Sequence, residues 1–198
     1  MKFVIDSEIV ELPQSKFQSF NDCCHAAMEW LLERNRSIQS CHINGKEVSS
    51  LEDANQLFAS AQSIEVQSVP LNEAMESTVA LRCTQWRGLE EQCENLVTDC
   101  LLAEPLEIAK QWQDLCQILN EQIKFIPNLS FWITDDQVAQ LADQDFKELG
   151  QIMNRISEDL AKADVVAFSD ILEVRLLPWM KNMRGLFEAT LQKMETNK

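Results

Sequence analysis

The chain has little of what enzymes and cofactor-binding proteins commonly use. It contains four glycines and two histidines in 198 residues, and neither histidine lies beyond residue 42. Few glycines leave few of the tight turns from which ligand-cradling loops are built. No Gly-rich phosphate loop, no Gly-x-Ser-x-Gly motif and no His-Glu-x-x-His motif occurs, and the Glu-x-x-His pairs of di-iron bundles are absent. The sequence therefore predicts a protein that is not an enzyme and has no cofactor.

Long apolar runs and an excess of basic residues are also lacking. No stretch approaches the roughly 18 to 20 apolar residues of a membrane span. The start, MKFVIDSEIVELPQ, carries charges by position 6, unlike a signal peptide. Acidic residues outnumber basic ones by 32 to 17, giving a net charge of −15. With no basic patch to neutralise phosphates, we expect neither nucleic-acid nor membrane binding, and we read the charge as a source of solubility.

The seven cysteines include no Cys-x-x-Cys pair. Without an export signal they predict a cytoplasmic protein with free thiols. Thiols and imidazoles gather only in Cys23-Cys24-His25 and Cys41-His42, so a metal- or thiol-dependent function is an alternative. Adjacent residues point about 100° apart on a helix and to opposite faces on a strand, so neither run suits one metal ion. We favour a structural role, with Cys24 on an apolar helix face.

The first 70 residues begin with strand-like alternation and then change period. Met1, Phe3 and Ile5 share one face, Val10 and Leu12 another, and Asp6-Ser7 reads as a tight turn between the two strands. After Pro13, a helical stripe is formed by Phe20, Cys24, Ala27 and Leu31.

A second hairpin is predicted in CHINGKEVSS, residues 41–50. Ile38 to Ile43 reads as a strand, Asn44-Gly45 as its positive-φ turn, and Lys46 to Val48 as the return strand. Ser50 can cap a short helix with Asp53 as its weak capping-box partner, and SIEVQSV reads as the last strand.

This order of elements resembles the ubiquitin-like β-grasp fold over residues 1–69. MKFVI is similar to the opening strand of that family, and INGKEVSSLEDANQLFASAQSIEVQSV to its later part. Family members that act as modifiers or sulfur carriers end in a free Gly-Gly tail, whereas Val69-Pro70 here continues into more chain. The resemblance therefore implies a fused protein-binding module and not conjugation.

Beyond Pro70 the spacing becomes helical, and we predict an α+β protein with a β-grasp domain at 1–70 and an acidic antiparallel four-helix bundle at 71–198. Pro178 is expected to kink the fourth helix. The predicted core positions, helix by helix, are Met75, Val79, Arg82, Trp86, Leu89, Cys93, Leu96 and Cys100; Ile108, Trp112, Leu115, Leu119 and Ile123; Val138, Leu141, Leu149, Ile152, Ile156 and Leu160; and Phe168, Leu172, Leu176, Trp179, Met183 and Leu186. Thr134-Asp135-Asp136-Gln137 is the predicted capping box of the third helix.

Arg82 interrupts the apolar stripe of the first bundle helix. A buried guanidinium needs a carboxylate, so one hypothesis pairs Arg82 with Asp170 or Glu173. The alternative is that Arg82 extends to the surface along its methylene groups.

The connector FIPNLSFWI, residues 125–133, is unusually apolar. It caps one end of the bundle or meets a partner, and its Phe131 and Trp132 are the predicted protein-binding residues. The expected function is non-enzymatic binding of another protein, as an adaptor, chaperone-like or regulatory module. Self-association of the bundle through its fourth helix is the remaining alternative.

Overall fold

The structure, a computed structural model, describes residues 1–11, 17–126 and 136–196, with the backbone alone at 51, 105 and 136–145. The chain divides into two compact units, Met1–Ser77 and Thr78–Lys198. All the strands of the described residues lie before residue 71, with two helices among them, and the rest is helical, which confirms the prediction of an α+β protein. Strand β5 ends at Pro70 and helix α3 begins at Leu71. The predicted domain boundary at Pro70 stays a prediction.

The first unit contains a five-stranded mixed sheet. Its strands are β1 (Lys2–Ile5), β2 (Glu8–Ile9), β3 (Arg36–Ile43), β4 (Lys46–Glu47) and β5 (Ser63–Pro70). They lie in the order β2-β1-β5-β3-β4, with β1 parallel to β5 and the other neighbours antiparallel. Ile64, Val66 and Ser68 of β5 are all buried, because every second side chain of a strand points to the same face of the sheet.

Both predicted hairpin turns are present. Asp6 and Ser7 have φ of +49° and +72°, and Asn44 and Gly45 have φ of +52° and +78°. Asn44 also holds the loop before β5, because its side-chain oxygen accepts from the Gln62 and Ser63 N–H groups at 2.8 and 3.1 Å. Its side-chain nitrogen donates to the Ser60 carbonyl at 3.1 Å. One side chain thus joins two loops that are distant in sequence.

The first unit also contains two helices, both in segments predicted to be helical. Helix α1 (Phe20–Leu32) opens with a capping box between Ser19 and Asp22, and helix α2 (Leu51–Phe58) is capped by Ser50. The Asp53 carboxylate accepts from the Ser49 hydroxyl at 3.0 Å, so the predicted reciprocal capping box does not form there in full.

The core between α1 and the sheet differs from the prediction at one cysteine. Cys23 is fully buried, whereas Cys24 is half-buried at the edge of the core. The buried face of the helix therefore consists of residues 20, 23, 27 and 31, because an i, i+3 step places Cys23 between Phe20 and Ala27 on that face. The other buried members are Phe3, Ile5, Val10, Ile43, Ala54, Ile64 and Val66.

The second unit is helical among the residues described. After α3 (Leu71–Asp99) come α4 (Pro105–Ile123), α5 (Asp136–Ala161), α6 (Val165–Ile171) and α7 (Leu177–Thr196). Its core includes Trp86 and Trp179, whose ring centroids are 5.9 Å apart in an edge-to-face arrangement. Thr134 and Asp135 of the predicted capping box, and the side chains of Val138 and Leu141, lie outside what the structure describes.

A π-helical turn, Leu172–Leu176, joins α6 to α7 just before Pro178. The Leu177 N–H donates to the Leu172 carbonyl, five residues back. A wider turn accommodates a proline that has neither an N–H to donate nor room for the usual carbonyl. The extra residue also moves the buried face, so Met180 and Phe187 enter the core while Leu186 is only half-buried.

The predicted pairing of Arg82 with Asp170 or Glu173 is wrong. Arg82 donates to the Gln85 and Gln122 side-chain oxygens at 3.1 and 3.3 Å and lies 4.6 Å from the Phe125 ring centroid. The buried ion pair forms instead between Glu90 and Arg184, with a 2.7 Å contact. The two glutamine oxygens and the Phe125 ring face contact the guanidinium, but its Nε is buried without a hydrogen-bond partner.

The predicted core positions of the third bundle helix, α5, are also wrong at the last residue. Leu160 is exposed and Asp159, one residue earlier, is buried. Asp159 lies 3.2 Å from the Arg155 guanidinium one turn before it, so its charge has a partner.

Candidate functional site

Three leucines are exposed where α3 ends and α4 begins. Leu101, Leu102 and Leu106 are 75%, 83% and 84% exposed. The backbone around them is firmly held: the Leu102 and Ala103 N–H groups both donate to the Asp99 carbonyl, at 2.9 and 2.7 Å. Pro105 occupies the first turn of α4, where its missing N–H costs nothing. The turn therefore presents leucine side chains to solvent from a fixed backbone.

A valine of α6 lies at the same end of the second unit. The Ser169 hydroxyl donates to the Val97 carbonyl at 3.3 Å, and the Trp112 and Phe168 rings meet edge to face at 5.6 Å. These contacts place Phe168 and Ser169 of α6 beside the last turns of α3 and against the middle of α4. Val166, 67% exposed, lies in the first turn of α6. We call Leu101, Leu102, Leu106 and Val166 the apolar end.

A polar cleft lies along α3 and α4, and Asp99, two residues before Leu101, is one of its lining residues. It has a volume of about 340 Å³. The Gln111 side-chain N–H donates to the Asp99 carboxylate at 2.8 Å, which ties the two helices together at the cleft. Every side chain lining it carries an oxygen that can accept a hydrogen bond. We call it the acceptor cleft, and its residues are Gln92, Asn95, Asp99, Gln111 and Asp114.

The charge around both features is mainly negative. Two acids belong to the cleft itself, and Glu104 and Glu107 flank the leucines as exposed side chains. Asp164 caps α6 by accepting from the Ala167 N–H at 3.0 Å. The nearby bases by sequence are Lys110 and Lys162. The site thus combines protruding apolar side chains with acidic surroundings.

The predicted binding residues Phe131 and Trp132 lie outside the described residues, so their role stays a prediction. The first two residues of that connector are described. Ile126 is buried, and Phe125 is half-buried with its ring stacked on Phe187 at 6.2 Å. This part of the connector packs on the core of the second unit.

The three cysteines of the first unit lie near one another, but the histidines do not join them in one site. Burial, with the Cys24 and Cys23 thiols as neighbours, raises the pKa of Cys41 to about 12. The same burial raises the pKa of Cys23 to about 11. His25 is exposed, and His42 alternates with Cys41 along β3 and so faces the other side of the sheet. The thiols are protonated at neutral pH and lack the thiolate character that catalysis requires.

The part of the chain that the structure describes also lacks the grouping of side chains that a metal ion needs. Within it, no three His, Cys, Asp or Glu side chains are grouped so that they could hold a metal ion. The five residues of the metal alternative, Cys23, Cys24, His25, Cys41 and His42, are all included in that part.

The apolar end was missed by sequence reasoning. Its signal is present in LLAEPL, residues 101–106, where leucines continue past the predicted last core position, Cys100, into a turn marked by proline. The acceptor cleft has a weaker signal: Gln92, Asn95 and Asp99 recur at helical spacing, as the residues of any solvated helix face do.

In 1–11, 17–126 and 136–196, no helix is both long and apolar enough to cross a membrane. Compared with protein-family models, curated proteins and solved structures, the chain matches none.

Proposed function

We propose that this protein is a non-enzymatic binding module whose apolar end contacts another protein. The observation that carries the proposal is the exposure of Leu101, Leu102 and Leu106 within six residues of chain. Scattered exposed leucines are ordinary, whereas three so close in sequence, with Val166 also exposed on α6, favour an apolar surface that a partner covers. Burying a leucine side chain is worth about 2 kcal/mol, so covering this surface is a substantial source of affinity.

The form of the turn supports binding as well. The Leu101 N–H donates to the Thr98 carbonyl and the Leu102 and Ala103 N–H groups to the Asp99 carbonyl, so the backbone of the turn needs little ordering when a partner binds. Less ordering means a smaller entropic cost of association. The protonated thiols of the first unit also favour binding over catalysis, since a nucleophilic cysteine needs a lowered pKa.

We further propose that residues 1–70 are a ubiquitin-like β-grasp domain. The strand order β2-β1-β5-β3-β4, the parallel β1–β5 pair at the centre and helix α1 on one face support this assignment. Residues 71–198 are proposed to be an antiparallel four-helix bundle in which α6, the π turn and α7 form the fourth helix. The antiparallel contacts Glu90–Arg184 and Glu94–Lys181 between α3 and α7 support it.

Photocrosslinking in the cells that make the protein tests the binding function. A benzophenone amino acid is placed at Leu102, and at Leu81 as a matched control, because Leu81 is an exposed leucine elsewhere on α3. We expect an adduct of discrete mass from position 102 and none from position 81. Equal labelling from both positions, or none from 102, contradicts the proposal.

Self-association is the second candidate, since an exposed apolar surface also suits another copy of the chain. The net charge of −15 and the acids beside the leucines oppose it. An adduct at twice the mass of the chain, with an s-value that rises with concentration in sedimentation, would establish self-association instead. The predicted residues Phe131 and Trp132 are tested in parallel by a double alanine variant.

A further inference from the structure

We infer that the partner segment is a basic amphipathic helix, which places apolar side chains on the apolar end and an arginine or lysine in the acceptor cleft. The inference rests on the proposed function and adds the chemistry of the partner. Two separate features carry it, the exposed leucines and the oxygen-lined cleft, together with the sign of the charge around them.

The acceptor cleft suits a guanidinium group. Arginine has five N–H donors in a planar fork and no acceptor. The carboxylates of Asp99 and Asp114 and the side-chain oxygens of Gln92, Asn95 and Gln111 offer acceptors from both helices. Asp99 is already oriented by the hydrogen bond from Gln111. A cleft of about 340 Å³ has room for the head of one such side chain and its water.

The distance between the two features sets the spacing of the partner. The cleft runs along α3 from Gln92 to Asp99, seven residues and about 10 Å at 1.5 Å per residue, and Leu101 and Leu102 come shortly after it in the chain. A partner helix lying along α3 would therefore carry its basic residue within two turns, up to seven positions, of its apolar anchors.

The charge of the site selects among occupants. The chain carries −15 overall, and Glu104 and Glu107 flank the leucines. A basic helix gains attraction where a second copy of this acidic chain, or an anionic membrane, meets repulsion. Attraction between exposed charges weakens with salt, which gives the inference a measurable signature.

The test uses the full chain and fluorescein-labelled synthetic peptides of about 18 residues, followed by fluorescence anisotropy. One peptide is helical with leucines on one face and arginines seven positions away. The second has the arginines replaced by glutamates, and the third has the same composition as the first in scrambled order. We expect binding of the first peptide alone, weakening as salt is raised.

Two variants assign the contacts. Asp99→Asn with Asp114→Asn is expected to weaken binding about tenfold and to reduce the salt dependence, the loss of one charge-assisted contact. The matched control, Glu29→Gln with Glu73→Gln, changes the net charge equally at exposed positions outside the cleft and should leave affinity within about twofold. Leu101→Ser, Leu102→Ser and Leu106→Ser together should abolish binding, with Leu81→Ser as control.

Outcomes separate the inference from the proposed function. If position 102 crosslinks to a protein while the basic peptide fails to bind, or binds no better than its scrambled form, the inference is overturned and the proposed function stands. If neither experiment gives contact at the apolar end, both are overturned. Equal weakening by the cleft variant and its control would reduce the effect to net charge and also overturn the inference. Binding to phosphatidylcholine vesicles that the leucine variant abolishes, without peptide binding, would assign the surface to lipid.

Discussion

Glu90 is a buried carboxylate in the second unit. It is 7% exposed, and its oxygen lies 2.7 Å from the Arg184 guanidinium. Arg184 also donates to Glu188 at 2.7 Å, and Glu188 accepts from Arg87 at 2.8 Å. The hydrogen bonds from Arg87 and Arg184 lower the pKa of Glu188, while those to Glu90 and Glu188 raise the pKa of Arg184. The four side chains thus form one charge network between α3 and α7.

Replacing Arg184 by methionine is expected to destabilise the second unit by about 3 kcal/mol, because Glu90 would be left buried without its partner. The double variant Glu90→Leu, Arg184→Met should recover most of that loss, since it removes both charges. Urea unfolding followed by circular dichroism measures both. Lys181→Met is the control: its pair with Glu94 is solvent-exposed, and its loss should cost less than about 1 kcal/mol. A double variant as unstable as the single one would contradict the explanation.

The burial of Glu90 could not be predicted from the sequence. The need for a charge pair between the first and last helices of the second unit could be foreseen, but it was assigned to Arg82. Glu90 falls one residue after Leu89 on the buried side of α3, and helical spacing alone does not separate a buried carboxylate from an exposed one. Only the position of Arg184 across the interface makes its burial tolerable.

Among the elements, the β3–β4 turn has the most demanding sequence. Asn44 has a positive φ and makes three side-chain hydrogen bonds to the loop before β5. Asparagine tolerates this backbone conformation better than other non-glycine residues. The turn therefore fixes both the β3–β4 hairpin and the start of the last strand.

Asn44→Ala is expected to destabilise the first unit by about 2 kcal/mol, the combined effect of lost hydrogen bonds and an unfavourable φ. Asn44→Gly keeps the backbone freedom and loses only the bonds, so it should lie between alanine and the native residue. Hydrogen exchange at the Gln62 and Ser63 amides, which Asn44 protects, reports the effect locally. Unchanged exchange at these two amides in the alanine variant would show that the bonds contribute nothing.

Elements with local signals were well predicted, and those that depend on tertiary packing were not. Asn44-Gly45 and Ser50 act on the backbone within a few residues of themselves, so the turn and the helix cap could be predicted from the sequence. The π turn could not be predicted, because a proline at position 178 is equally compatible with a simple kink. Which of the two forms depends on how Met180 and Phe187 pack. The apolar end was missed because apolar residues at a helix end are usually buried.

Considered as a whole, the molecule holds all seven thiols in their protonated form. Burial raises the pKa of every cysteine, to about 12 for Cys41 and Cys93 and to about 11 for Cys23 and Cys116. An unfolded thiol titrates near 9. Below pH 9 the thiols are protonated in both the folded and the unfolded chain, so their ionisation does not reduce the free energy of unfolding. Between pH 9 and about 12 the unfolded chain releases these protons first, and the free energy of unfolding falls.

The unfolding temperature, measured under a non-thiol reductant, should therefore fall steeply above pH 9. Cys41→Ala and Cys93→Ala remove one strongly shifted thiol from each unit. We expect the double variant to be less stable at pH 7, because each change leaves a small cavity, but to lose less stability between pH 9 and 11. An identical decline in the native chain and the variant would assign the alkaline effect to lysine deprotonation instead.

The edge-to-face pair of Trp86 and Trp179 has an optical consequence. Two indoles held 5.9 Å apart at 67° couple their electronic transitions, which produces a paired positive and negative band in the ultraviolet circular dichroism spectrum. The chain has no tyrosine to overlap with that signal. Trp86 and Trp179 both belong to Thr78–Lys198, so the doublet would follow melting of this unit alone, without any added label.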